Sequence, residues 1–174
     1  MRRFSLVLCL VATALRAQQP DTVRKDSTRT DSSPPTPAQE RYLDGLRTVG
    51  RGIAQLKDGI DRVVRAYGAK DSVKLAQAGR RLGGLCGSAR TFMGPGRSLM
   101  TATAYDDSVR THAKKLGLQI DSVIGFMPTC QHAAFRTPNK TAADVLGLIR
   151  SYETALRVFR TDIGLNRPAP PPAQ

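Results

Sequence analysis

Cys86, Cys130, His112, His132 and the adjacent pair Asp106-Asp107 are the residues whose types best suit chemistry. Cys130-Gln131-His132 sets a thiol two residues from an imidazole, a pattern a thiolate nucleophile or half a metal site would use. Cys86 and His112 could complete such a metal site, but the spacing matches no strong zinc pattern. A haem-attachment motif, with two cysteines two residues apart before a His, is absent. Met93, Met100, Met127 and His112 qualify as haem ligands only by type. The acidic neighbours Asp106 and Asp107 point about 100° apart on a helix, which suits a cap better than joint acid–base work. No Gly-x-Ser-x-Gly, His-Glu-x-x-His or phosphate-cradling loop occurs. The sequence therefore predicts no enzyme, no metal and no cofactor.

Charge is the broad functional signal. The chain carries 27 Lys and Arg against 14 Asp and Glu, a formal net charge of +13. Arg150, Arg157 and Arg160 fall on one face of a predicted helix at spacings of seven and three, and Arg80 and Arg81 lie on another. These five are the candidate site for an anionic partner, a lipid headgroup or glycan of the cell envelope. A solvated face in an arginine-rich chain is the bland alternative. Aromatic platforms for single-stranded nucleic acid are missing, so intracellular nucleic acid is not expected as a partner.

The compartment follows from the N-terminus. Met1-Arg2-Arg3 precedes about a dozen apolar residues, Phe4 to Leu15, too few for a membrane span and right for a secretory signal. Cleavage is expected after Ala17, or after Ala14, giving a periplasmic or secreted protein that is not transmembrane once processed. Processing removes Cys9 and leaves Cys86 and Cys130 as an even pair, which in an oxidising compartment reads as a disulfide.

Four helices must position these groups. The expected layout is a signal peptide over 1–17, a disordered linker over 18–35, a helical bundle over 36–166 and a proline-rich disordered tail over 167–174. Thr36-Pro37-Ala38-Gln39 is a capping box with Pro at the first helical position. Tyr42, Leu46, Val49, Ile53, Leu56, Ile60, Val63 and Tyr67 then recur at alternating fours and threes. The second seam reads Leu75, Ala78, Leu82, Leu85, Ala89 and Phe92, ending at Gly94-Pro95-Gly96. A third helical region runs from about Ser98 to Phe126, with a fresh start possible near Asp106 and a stop at Pro128, so that Cys130 and His132 fall in a loop. The fourth, capped by Asn139 or Thr141, carries Ala142, Val145, Ile149, Tyr152, Leu156, Phe159 and Ile163 before a Gly164-Leu165 stop.

No strand signal appears, so the predicted fold is an all-α, four-helix up-down bundle. Gly45, Gly52 and Gly59 form a stripe beside the first seam, as do Gly79, Gly83 and Gly87 on the second helix. Either the two rows pack closely against each other, or composition alone produced them. One conflict is built in. Straight helices would hold Cys86 and Cys130 some 30 Å apart, whereas a disulfide needs Cα atoms within about 7 Å. Between Gly83 and Asp107 something must give: the second helix stops early near Gly83-Gly84-Gly87, the third starts only near Asp106 with residues 94–105 running back as a connector, or the cysteines do not pair. The disulfide is kept, with the second or third helix then broken. Two other readings stay open: a bundle carrying a ligand or cofactor near the third and fourth helices, and an enzyme centred on Cys130 and His132.

Overall fold

A computed structural model describes residues 34–165. The expected signal peptide, most of the linker, and the tail lie outside the described residues. Within them stand four long helices: α1 (Pro37–Gly68), α2 (Ser72–Ser98), α3 (Asp107–Ala133) and α4 (Pro138–Asp162), with a 3-10 turn at Ala102–Ala104 and no strand. Each helix packs on the next, and α4 closes back on α1. The all-α four-helix bundle is thus the architecture of the described chain.

The capping chemistry sets the ends. Thr36 Oγ1 accepts from the Gln39 amide, while the Gln39 side chain accepts from the Thr36 amide at 2.8 Å, satisfying two donors that α1 would leave orphaned. At the far end of α1, Lys70 takes the left-handed conformation (φ 54°). Lys70 and Asp71 donate back to the Tyr67 and Ala66 carbonyls, a Schellman-type stop. Asp71 then caps α2 by accepting from the Lys74 amide at 2.9 Å. α4 ends as expected: Gly164 (φ 76°) turns the chain, and the Leu165 amide reaches the Arg160 carbonyl. Its start differs, with Thr137 in the cap position and Pro138 first in the helix, because proline's fixed φ and missing N–H fit that position.

Neither internal proline stops its helix. α2 runs through Pro95 to Ser98, and α3 through Pro128 to Ala133. A proline strands one carbonyl a turn earlier; for Pro95 that is Thr91, and both residues are exposed to water that can satisfy it. Cys130 and His132 are consequently helical, and Ser98 belongs to α2.

The seams of α1 from Tyr42 to Val63 and of α4 from Ala142 to Tyr152, with Phe159, bury as expected, and α3 buries the row Ala113, Leu116, Ile120, Val123 and Met127. Tyr67, assigned to the α1 seam, is instead 55% exposed. In α2 the buried row is Ala78, Leu82, Cys86, Ala89 and Met93, while Phe92 is exposed and Leu85 only partly buried. In α4, Ala155 is buried where Leu156 was expected. In α2 a 3.6-residue helix drifts against a strict 3.5 repeat, so the inward row moves on by one residue, to Cys86 and Met93.

The two glycine rows do not face each other. A β-carbon on Gly45 would meet the Gly96 carbonyl, and one on Gly52 or Gly59 would meet Met93 or Leu85, so that stripe seats α2 on α1. Gly79 and Gly83 face the end of α3 instead: a β-carbon on Gly79 would lie 2.4 Å from the Ala134 carbonyl oxygen and one on Gly83 3.1 Å from that of Gln131.

The conflict over the cysteines is resolved by an offset. Arg97, next to last in α2, donates to the Gly117 carbonyl at 3.3 Å and to the Asp121 carboxylate at 2.9 Å. Gly117 lies about ten residues, or roughly 15 Å, into α3. The segment 99–106 spans that rise, as eight residues reaching up to about 3.3 Å each readily can. α3 starts at Asp107, where Asp106 accepts from the Val109 amide. Cys86, in mid-α2, and Cys130, in the last turn of α3, thereby come level at disulfide distance, Cα atoms 6.1 Å apart and both fully buried. The break is between the helices rather than within one.

Candidate anion-binding surface

The chemistry-bearing residues are mostly consumed by structure. Cys130 is buried against Cys86, while His132, two residues on, is exposed. Asp106 caps α3 and Asp107 pairs with Arg110 at 2.8 Å. Met93, Met100 and Met127 are core residues. Among the described residues no group of three or more His, Cys, Asp or Glu is placed to hold a metal.

His112 does have company. Its Nδ1 bonds Asp162, tying the start of α3 to the end of α4. It shares a groove of about 460 Å³ with Lys115, Arg150, Ser151 and Thr154. The residue types resemble a hydroxyl nucleophile with a His–Asp base. However, Ser151 and Thr154 donate to the Gly147 and Arg150 carbonyls of their own helix. Neither hydroxyl is bonded to the imidazole.

The five predicted arginines are not brought together. Arg150 lines the α3–α4 groove. Arg157 and Arg160 are exposed further along α4, Arg160 in its last turn. Arg80 is exposed on α2, and Arg81 lines a different groove, between α1 and α2. That second groove, about 590 Å³, gathers Arg62, Arg65, Lys74 and Arg81 around an apolar floor of Ala66, Ala69 and Ala78, with Gln77 beside them.

The antiparallel turn at residues 69–71 creates this concentration. It lays the last turns of α1 beside the first turns of α2, so cations distant in sequence converge. Between Arg62 and Arg81 the chain carries six Lys or Arg and a single acid, Asp71. Asp58 feels the field: the hydrogen bond from Arg62 leads in holding its carboxyl below the usual range, and the nearby charges of Arg62, Arg81 and Arg65 add to it. Asp71 is also held low, chiefly by the backbone hydrogen bond from Lys74. Arg62 and Lys74 are paired with Asp58 and Asp71, at 2.9 and 3.1 Å. Arg65 and Arg81 form no ion pair with a described carboxylate within 4.0 Å.

The five arginines singled out from the sequence include Arg81 but neither Arg62 nor Arg65 of α1. The signal was present in the short turn: residues roughly equidistant from it, such as Arg62 and Arg81, must meet across an antiparallel pair.

No protein-family model matches this chain, nor does any curated protein or solved structure.

Proposed function

We propose that the protein is an exported, non-enzymatic binding module whose α1–α2 groove holds an anionic partner of the cell envelope. The observation that carries this reading is the gathering of Arg62, Arg65, Lys74 and Arg81 along one groove, two of them with no carboxylate partner at ion-pair distance. Guanidinium groups recognise phosphate, sulfate and carboxylate oxygens through paired donors. A groove lined by four cations concentrates such anions by its field alone. The apolar, basic N-terminal segment supports delivery to the periplasm or the exterior. Among the described residues no helix is long and apolar enough to cross a membrane.

Retention on immobilised heparin tests the reading. The wild type should elute only as salt rises, and the Arg65→Glu/Arg81→Glu variant should elute at clearly lower salt. Retention that ignores ionic strength, or the same elution for both proteins, would overturn it.

A further inference from the structure

The groove lies beside a tip of unusual make-up. Val64 is 52% exposed, Tyr67 55% and Val73 66%, the first two on the last turns of α1 and the third on the first turn of α2. Gly79, in the second turn of α2, already packs on Ala134 and Pro138 of the α3–α4 connection. The residues from Ser72 to Ala78, and the end of α1 beside them, therefore project past that connection by roughly 10 Å at 1.5 Å per residue.

We propose that this α1–α2 tip docks on an anionic lipid surface, with Tyr67, Val64 and Val73 entering the headgroup layer and Arg65, Lys70 and Lys74 pairing with lipid phosphates. The proposal rests on the anionic-partner reading above and names the partner's class. Three observations favour a membrane over a glycan or other soluble polyanion. First, a glycan would use only the cations and leave three large apolar side chains in water, whereas an interface takes both. Second, the projection matches the depth of about 5–10 Å that interfacial elements reach, and a tyrosine, apolar with a polar tip, suits that layer. Third, charge orients the molecule. The tip side holds three acids, Asp61, Asp71 and Asp144, among its cations, while the opposite end holds five, Glu40, Asp44, Asp106, Asp107 and Asp162, among its own. An anionic surface attracts the first end more than the second. Lys70 strengthens the case, because it occupies a left-handed position that glycine would fill at lower cost, and in doing so places a cation at the apex.

The chain contains no tryptophan, so Tyr67→Trp installs a single fluorescent reporter at the tip. With vesicles of mixed phosphatidylglycerol and phosphatidylcholine, its emission should shift to the blue and be quenched when the acyl chains are brominated. Leu118→Trp, at an exposed site on α3, should show neither effect. In the native background, Tyr67→Ser/Val73→Ser should weaken vesicle binding about tenfold and leave elution from heparin unchanged. If Tyr67→Trp sediments with the vesicles without a shift, or if the protein binds heparin and not vesicles, insertion is overturned while the anionic-partner reading survives. Failure to bind either overturns both.

Discussion

A β-carbon on Gly45 would stand 2.4 Å from the Gly96 carbonyl oxygen, and one on Gly96 would stand 2.9 Å from that of Gly45. The two glycines thus bring the backbones of α1 and α2 into direct contact where the hairpin is closest to α1's start. Gly45→Ala should destabilise the fold by about 1–3 kcal/mol, since backbone on both sides cannot give way, despite gaining nearly 1 kcal/mol of helix propensity. Gly50→Ala meets nothing within 4 Å and should stabilise by about 0.5–1 kcal/mol. Urea unfolding of the two variants reads the contrast directly.

Two tyrosines in one cluster should respond oppositely. Tyr42, Tyr105 and Phe159 pack with ring centroids 5.1 to 5.3 Å apart. The Tyr42 hydroxyl donates to the Ala113 carbonyl at 3.1 Å, and burial raises its pKa well above the ordinary value. Tyr42→Phe should cost about 1 kcal/mol. The Tyr105 hydroxyl is buried with no hydrogen-bond partner among the described residues, so Tyr105→Phe should be neutral or stabilising in the same unfolding assay.

The cysteine pair should be oxidised and worth several kcal/mol. It closes a loop with a sequence separation of 44, which corresponds to about 4 kcal/mol in the chain-entropy view. Cys86→Ala/Cys130→Ala should lower stability by about 2–4 kcal/mol. A thiol reagent added to the unfolded, unreduced protein should label neither residue; labelling of both would refute the bond.

Charge reversal at Arg65 and Arg81 should weaken binding to anionic vesicles by at least about tenfold, from roughly 1 kcal/mol per surface cation. The effect should shrink as salt is raised. Reversal at Arg157 and Arg160, away from the groove, should have the smaller effect in a matched sedimentation assay.

Acid should loosen the α1–α2 hairpin. Asp58 and Asp71 have folded pKa values below their ordinary 3.8, through bonds from Arg62 and Lys74. A depressed carboxylate contributes stability in full above its unfolded pKa and loses it as pH falls through the folded value. The unfolding midpoints of wild type and Asp71→Asn should therefore differ at neutral pH and converge below about pH 4.

Local chemistry made much of this fold legible. The capping box at Thr36, the Schellman stop at Gly164 and the four-three rhythm of α1 depend on neighbours within a turn or two, so the sequence states them outright. Each error came from something farther away. Pro95 and Pro128 read as stops, but both helices run on; at Pro95 the stranded Thr91 carbonyl lies at the surface, where water can satisfy it. Leu85 and Phe92 read as seam, but helical drift and the position of α3 turned Cys86 and Met93 inward. Tyr67 read as core, but none of the described residues beyond the α3–α4 connection covers it.

What the sequence determined by itself is the helical class, most helix ends and the excess of positive charge, because periodicity, caps and composition are local or additive. Only the tertiary structure decided the offset of α3 against α2, since a connector of eight residues can span many rises. That offset brings Cys86 level with Cys130, sends Gly79 and Gly83 to α3 instead of α1, and leaves the α1–α2 tip projecting. It also separates Arg81 from Arg150, since a side chain's neighbours across a bundle depend on register, which no single helix encodes; Arg81 meets Arg62 and Arg65 through the short turn between α1 and α2.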